Sequence, residues 1–237
     1  MNLKHSTGII SRITMSCQLN IQDLGKIPYM QALEKQRDLQ KIVIESREST
    51  PTPFHLLLLE HEPAVITMSK RPSSKEHLLA SAVQLEEAGV ELCVTDRGGD
   101  ITYHGAGQLV GYPICDLNAL SLRIHSYMRF LESTIIEVLG NFGIEAHRDS
   151  CATGVWVGDA KICAMGVRVS RWVSMHGFGL NVNPNMEHFN LIVPCGLAGR
   201  NITSMQLLLG DSCPSMNKVK EVVSESFRVA ITRQSQV

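Results

Sequence analysis

The chemistry in this chain is most visible at two side chains, the amine of Lys161 and the thiol of Cys195. A thiol with its reference pKa of about 8.5 is mostly protonated at neutral pH, so a nucleophilic cysteine needs a cation or a base beside it. A lysine can be that partner. The two residues therefore predict acyl transfer through a cysteine thioester, provided that the fold brings them together.

Motifs that would indicate a nucleotide or a metal are missing from the sequence. The glycines in 104–111 place the third glycine one residue late for a dinucleotide fingerprint, and no strand-GxxxxGK[ST]-helix pattern occurs. The cysteines include no Cys-x-x-Cys pair, and no His-x-x-x-His pattern lies in a predicted helix. We therefore predict no cofactor and no metal, and an acyl donor that is already activated.

Composition excludes several classes of protein. The 237 residues carry a formal net charge of -1, and no basic run reaches the about five to eight residues typical of nucleic-acid binding. Apolar runs such as 56–59 are far shorter than the roughly 20 residues of a membrane span. An odd number of cysteines in a chain that can fold without disulfides indicates a reducing compartment. The sequence thus predicts neither a nucleic-acid nor a membrane partner.

The N-terminal region differs in composition from the rest of the chain. Residues 1–21 contain Lys4, His5 and Arg12, several serines and threonines, and no acidic residue. This composition is typical of a weak organellar targeting segment and equally of a disordered N-terminus. We therefore predict a targeting or disordered segment over 1–21, a single domain over 22–237 and a mitochondrial location, with plastid and cytoplasm as alternatives.

Hydrophobic periodicity predicts helices and strands in clusters rather than in strict alternation. The stripe of the first helix has one polar break, at Gln36. Helices are predicted over 28–46, 76–88, 121–141 and 217–231. Strands are predicted over 56–59, 64–67, 91–95, 109–114, 155–157, 161–170 and 172–182. This order favours an α+β fold, with a mixed or antiparallel sheet flanked by helices.

Five short blocks occur in the order typical of one known protein family. The blocks are 97–105 with 107–108, 153–157, 161–166, 176–182 and 194–196. On these blocks the chain, from about residue 24 to residue 209, resembles the lipoyl(octanoyl) transferases, which are similar in fold to lipoate-protein and biotin ligases. The resemblance implies a biotin/lipoate protein ligase-like catalytic domain.

The resemblance also implies an activity and a set of site residues. Family members move an octanoyl group from octanoyl-acyl carrier protein to a lysine of lipoyl domains, those of 2-oxoacid dehydrogenase E2 subunits and of the glycine cleavage H protein. By resemblance, Cys195 carries the acyl thioester and Lys161 activates it. Substrate contacts are implied at Arg97, Gly98, Gly99, Asp100, Ile101, Thr102, Tyr103, His104, Ala164, Met165, Gly166, Gly177, Phe178 and Gly179.

The residues themselves give these roles a chemical form. If Lys161 meets Cys195, its ammonium donates a proton to the departing sulfur, and the neutral amine then accepts one from the incoming lysine. Arg97 is expected to orient its glycine-rich loop or to bind substrate. Space for the apolar acyl tail is expected at Gly98, Gly99, Gly177 and Gly179.

Two alternatives stay open from the sequence. One is an ATP-dependent lipoate-protein or biotin ligase on the same fold, which would attack an acyl adenylate without a cysteine. The other is a non-catalytic module that binds lipoyl domains. The chain also departs from the family pattern, since Ala106 replaces a proline and Phe178 replaces a leucine, and Phe178 is expected to reshape the acyl slot.

Overall fold

The computed structural model describes residues 17–48, 51–71, 73–193 and 200–236. Its helices are α1 (Tyr29–Glu45), α2 (Ser73–Glu76), α3 (Ala82–Glu87), α4 (Ile124–Gly140), α5 (Met205–Leu209) and α6 (Met216–Gln234). Its strands are β1 (Cys17–Ile27), β2 (Thr52–His61), β3 (Ala64–Ser69), β4 (Val90–Thr95), β5 (Ile101–His104), β6 (Gln108–Ile114), β7 (His147–Arg148), β8 (Val155–Val157), β9 (Ala160–Ser170), β10 (Val173–Asn181) and β11 (Asn201–Ile202). Short 3-10 helices cover Met186–Leu191 and Gly210–Ser212.

The strands of the described residues form a large and a small sheet, and both are mixed. The large sheet has the order β1-β2-β6-β10-β9-β8-β7, and β11 also pairs with β9. Its β1–β2 and β11–β9 pairs are parallel, and its other pairs are antiparallel. The small sheet has the order β4-β3-β5, with β3 parallel to β4 and antiparallel to β5. The predicted α+β fold with a mixed sheet is confirmed.

Helices cover both faces of the large sheet. In β2, Phe54, Leu56 and Leu58 pack in one cluster with α4 and α6, whereas Leu57 and Leu59 pack with α1 on the opposite face. Successive side chains of a strand point to opposite faces, so a strand that is buried on both sides needs a continuous apolar run. The run at 56–59 therefore marks a central strand of the fold.

The helix predicted over 76–88 is wrong in extent, because α2 already ends at Glu76 and only α3, over 82–87, is helical in the rest of this segment. Ser81 begins α3 with a reciprocal cap: its side chain accepts a hydrogen bond from the Gln84 amide, and the Gln84 side chain accepts one from the Ser81 amide. Such a cap satisfies the free N–H groups of a new helix start, so it separates α3 from α2. Gly89, with φ of +62°, follows the end of α3, as the sequence predicts for a left-handed terminal residue.

The first strand changes the predicted N-terminal boundary. Residues 17–27 form β1 and pair in parallel with β2, so the boundary predicted after residue 21 falls inside a strand. The rest of the predicted targeting or disordered segment, 1–16, lies outside the described residues. No helix in the described part of the chain is long and apolar enough to cross a lipid bilayer.

Candidate active site

A cavity of about 510 Å³ is lined by residues of both sheets. Its wall is formed by the loop before β5, by β5 itself, by the middle of β9 and β10, by the loop before β8 and by the first turns of α4. It contains Lys161 and all but one of the predicted substrate contacts: Arg97, Gly98, Gly99, Asp100, Ile101, Thr102, His104, Ala164, Met165, Gly166, Gly177, Phe178 and Gly179. The fold thus brings together segments that are far apart in sequence.

Tyr103 is the predicted contact that does not line the cavity. Its ring packs against Phe189 with centroids 5.0 Å apart, and its hydroxyl lies 3.0 Å from Nδ1 of His188. Its neighbours in β5, Thr102 and His104, do line the cavity. Side chains of successive strand residues point to opposite faces, so the Tyr103 side chain points away from the face of β5 that Thr102 and His104 present to the cavity.

Lys161 lies at the cavity wall with a buried side chain, 3% exposed. It sits in β9, opposite Trp156 of β8 and Ile202 of β11, and its backbone oxygen accepts a hydrogen bond from the Thr203 amide. Its Nζ lies 4.9 Å from the centroid of the Trp156 ring. The face of an indole attracts a cation, so Trp156 helps to hold the ammonium in place.

Cys195 lies outside the described residues, so its pairing with Lys161 stays a prediction. The described residues on each side of 194–199 lie near the cavity wall. The Val193 amide donates to the backbone oxygen of His77, whose ring is 2.7 Å from the cavity residue Asp100. The Arg200 guanidinium lies 4.2 Å from the centroid of Trp156, the ring that Lys161 also contacts.

Arg97 orients the glycine-rich loop, which is one of the two roles expected for it from the sequence. Its guanidinium donates to the side chain and backbone oxygens of Thr67 in β3 and to the backbone oxygens of Gly98 and Asp100. The Gly98 amide donates in turn to Val167 in β9, at 2.9 Å. These bonds tie the loop to a strand of each sheet, so it is held as a fixed part of the cavity wall.

A chain of side-chain hydrogen bonds fixes the tautomer of His104. The Asn181 amide nitrogen donates to the Thr203 backbone oxygen, and the Gln108 amide nitrogen donates to Tyr103 O and to Asn181 Oδ1. An amide oxygen only accepts hydrogen bonds, so Gln108 Oε1, which lies 2.7 Å from His104 Nδ1, must accept a hydrogen bond from the Nδ1–H group. His104 therefore carries its hydrogen on Nδ1 and keeps the Nε2 lone pair.

Burial keeps three histidines at or beside the cavity neutral. Burial, with a smaller contribution from the neighbouring His61, lowers the pKa of His104 to about 3. Burial also lowers the pKa values of His61 and His176 to about 4. It outweighs the hydrogen bond of His61 to Ile27 and that of His176 to Asp96, which both act to raise the pKa. These side chains act as neutral donors and acceptors at physiological pH.

The comparisons with known proteins agree on one family. The family model described as the lipoyl protein ligase A/B catalytic domain matches residues 32–228. An octanoyltransferase of Solibacter usitatus is 50% identical over 188 residues, covering 79% of this chain and 82% of the relative. One of Flavobacterium johnsoniae is 42% identical over 221 residues, covering 88% and 94%. This chain belongs to the octanoyltransferase family.

Solved structures show that this octanoyltransferase-family chain shares its fold with ligases. A bi-partite lipoate protein ligase of Thermoplasma acidophilum superposes with a TM-score of 0.66 at 13% identity, covering 92% of this chain and 84% of that one. A biotin protein ligase of Aquifex aeolicus gives a TM-score of 0.52 at 11% identity, covering 92% and 70%. The predicted biotin/lipoate ligase-like fold is confirmed.

Several cavity residues of this octanoyltransferase-family chain are absent from the predicted list of substrate contacts, although His176 opens the predicted block 176–182. Tyr29, Tyr112 and His176 line the wall, and the amide of His176 donates to Oε1 of Gln36, from α1. His176 has a positive φ of 58°, which is rare for a residue with a side chain, so its backbone is held by this contact. The polar break at Gln36 in the apolar stripe of the first helix was the local signal for this contact on the helix side. Further lining residues are Arg71, Ile124, Met128, Cys151, Ala152, Thr153 and Val167.

The expectation that glycines leave space for an acyl tail is wrong at three of the four positions. A Cβ on Gly98 would lie 2.9 Å from the oxygen of Val167, one on Gly177 would lie 2.2 Å from the oxygen of Gly111, and one on Gly179 would lie 2.7 Å from the side chain of Gln108. These glycines permit close approach of neighbouring groups. At Gly99 the nearest group is the flexible end of Arg97, at 3.1 Å.

Gly177→Ala should therefore destabilise this octanoyltransferase-family fold by about 3 kcal/mol, because its Cβ would overlap the backbone of β6. The measurement is the free energy of unfolding in urea. Gly140→Ala is the matched control: a Cβ there meets nothing within 4 Å at the end of α4, so alanine should stabilise by about 0.5–1 kcal/mol. Equal unfolding free energies for the two variants would contradict the packing argument.

No group of three or more His, Cys, Asp or Glu side chains is arranged to hold a metal ion in the described ranges. The described part of the cavity wall presents the amine of Lys161, the neutral histidines His104 and His176, and backbone amides. Such groups can bind a carbonyl compound, orient it and move protons.

Proposed function

We propose that this chain transfers an octanoyl group from a thioester donor to the side-chain amine of a lysine in a lipoyl domain. The observation that carries the proposal is the burial of Lys161 in the wall of a cavity built from the segments typical of the family. The volume of about 510 Å³ lies within the range of small-molecule sites, roughly 300–1,000 Å³. Relatives that are 40–50% identical bear the name octanoyltransferase, which favours transfer over ligation.

The proposed reaction has two acyl transfers. The thiolate of Cys195 attacks the donor carbonyl, the bond to the donor sulfur breaks, and the Lys161 ammonium protonates that sulfur as it departs. The amine of the acceptor lysine then attacks the enzyme thioester. Neutral Lys161 takes the proton that this nitrogen loses, the amide bond forms, and the Cys195 thiolate leaves. The second transfer thus restores both residues to their starting forms.

Backbone amides around the cavity differ in their availability to an oxyanion. The amide of Gly98 already donates to Val167 and that of His176 to Gln36. An oxyanion needs a donor that is free to point at the reacting carbon. The amides of these residues are therefore poor candidates for that role in either transfer.

The test is intact mass spectrometry after incubation with octanoyl-acyl carrier protein. The wild-type chain should gain one octanoyl group that hydroxylamine removes, because a thioester is cleaved by this nucleophile. Cys195→Ser should not form it, whereas Cys213→Ser should, since Cys213 does not line the cavity. A hydroxylamine-labile octanoyl adduct on Cys195→Ser would contradict the assignment.

The same assay separates transfer from ligation. Free octanoate with ATP and magnesium should not modify a lipoyl domain in the presence of this chain, whereas octanoyl-acyl carrier protein should. Modification by octanoate and ATP that persists in Cys195→Ala would instead identify a ligase. A chain that binds lipoyl domains but modifies none under either condition would be a binding module.

The proposal includes the partners implied by the resemblance. The donor is octanoyl-acyl carrier protein, and the acceptors are lipoyl domains of 2-oxoacid dehydrogenase E2 subunits and the glycine cleavage H protein. The mitochondrial location stays a prediction, because residues 1–16 lie outside the described part of the chain. The relatives named above come from bacteria and do not support it.

A further inference from the structure

Glu132 is a buried carboxylate that the proposed reaction does not use. It lies in α4 and is 1% exposed. Its Oε2 accepts from Arg129 at 2.7 Å and forms an ion pair with Arg148 at 3.3 Å, and its Oε1 accepts from the backbone amide of Gly154 at 3.1 Å. The two arginines are partly exposed and can be hydrated, whereas the Gly154 contact is buried. One oxygen is therefore used to hold a backbone position.

Gly154 in turn lies directly against Lys161. A Cβ built on Gly154 would lie 3.4 Å from Cε and 3.5 Å from Cδ of Lys161, and 2.6 Å from the backbone oxygen of Cys163. Its φ of +123° belongs to a region that glycine adopts and other residues rarely do. The side of Gly154 on which a Cβ would stand thus faces the alkyl part of the lysine side chain.

The segment around Gly154 also carries other groups that surround Lys161. Trp156, two residues later, presents its ring to the lysine ammonium, and its indole nitrogen donates to the Ala152 oxygen at 3.3 Å. Ala152 and Thr153, just before Gly154, line the cavity. A shift of Gly154 would therefore move both the cavity wall and the ring that holds the amine.

We propose that Glu132 is a positioning residue for Lys161, acting through its hydrogen bond to the Gly154 amide. The inference rests on the proposed function, because it assigns a role to the setting of the lysine in that reaction. A proton-transfer group works only when it lies within hydrogen-bond reach of the reacting atoms. Misplacement by about 1 Å can cost about 100-fold in rate, so the loss of a distant anchor is measurable.

The alternative is a purely structural role, in which the carboxylate serves only to neutralise Arg129 and Arg148. Two substitutions separate the roles. Glu132→Gln keeps the length of the side chain and an oxygen for the Gly154 amide but removes the charge. Glu132→Asp keeps the charge for the arginines but withdraws the oxygen by one methylene from Gly154. The two roles therefore predict opposite orders of activity.

The experiment measures octanoyl transfer to a lipoyl domain at saturating and limiting donor, corrected for the folded fraction. We expect kcat of Glu132→Gln within about threefold of wild type and kcat of Glu132→Asp lowered about tenfold or more, with KM for the donor changed less than about threefold. Hydrogen exchange of the 151–157 segment should be faster in Glu132→Asp than in Glu132→Gln.

Glu137→Ala is the control on the same helix. Glu137 forms an exposed ion pair with Arg233 at 3.4 Å, does not line the cavity, and should keep wild-type kcat and exchange. Equal kcat for the Asp and Gln variants, or lower kcat for Gln, would overturn the inference. If Glu132→Asp is inactive, hydrogen exchange of the 151–157 segment still distinguishes the two roles. Failure of the wild-type chain itself to transfer an octanoyl group from the carrier protein would instead overturn the proposed function.

Discussion

Lys161→Met should lower the rate of octanoyl transfer by about 10²-fold to 10⁴-fold, the range that general acid–base catalysis contributes. Methionine fills a similar volume beside Trp156 but neither protonates a leaving sulfur nor accepts a proton from an amine. The measurement is single-turnover transfer from octanoyl-acyl carrier protein to a lipoyl domain. Lys41→Met is the control, since the Lys41 side chain is 72% exposed on α1.

Lys161→Arg tests whether the lysine acts by charge or by proton transfer. A guanidinium keeps the positive charge but does not give up its proton in proteins. We therefore expect the arginine variant to lose transfer as the methionine variant does. Transfer at the wild-type rate by Lys161→Arg would show that charge alone suffices, and a loss below about fivefold in Lys161→Met would contradict the catalytic role.

The folded chain should lose stability steeply as the pH falls from about 6.5 towards 4. His61, His104 and His176 have pKa values lowered by burial to about 4, 3 and 4, whereas a histidine in the unfolded chain titrates near 6.5. Below pH 6.5 the unfolded state therefore binds protons that the folded state does not. The stability is fully present above pH 6.5 and is lost as the pH approaches the folded-state values.

The expected pH dependence of the unfolding free energy follows from proton linkage. Each such histidine contributes at most about 1.4 kcal/mol per pH unit to the slope, so three give about 4 kcal/mol per pH unit near pH 5. Urea denaturation between pH 7 and pH 5 measures it. His61→Gln should reduce the slope, whereas His125→Gln should not, because His125 is exposed. An unfolding free energy that is constant across this range would contradict the prediction.

Much of the fold could be predicted from local patterns. The stripe of the long central helix, with Tyr127, Leu131, Ile135 and Val138, is buried as its spacing indicates. The apolar run at 56–59 forms a strand that is buried on both faces. These predictions succeed because burial of one helix face or of both strand faces is recorded directly in residue order. The single helix predicted over 76–88 is wrong because the cap at Ser81 starts a new helix inside a helix-like pattern.

The candidate site likewise contains parts that local patterns predicted and parts that they did not. Short blocks of unusual composition named the loop with Arg97, the β9 segment with Lys161 and the β10 segment with Gly177, and the cavity contains all of them. Gln36, by contrast, reaches His176 across 140 positions of sequence. Its role depends on which helix face meets which strand, and no local pattern contains that information.

The amino-acid order of this chain by itself determined the fold class, the family and the segments that carry the chemistry, because each is written in spacing, burial pattern and short blocks. Only the tertiary structure decided that Tyr103 turns away from the cavity, that its glycines serve close packing, and that Glu132 reaches Lys161 through Gly154. The physical reason is that such contacts join atoms on separate elements. Their distances are set by how helices and sheets pack against one another.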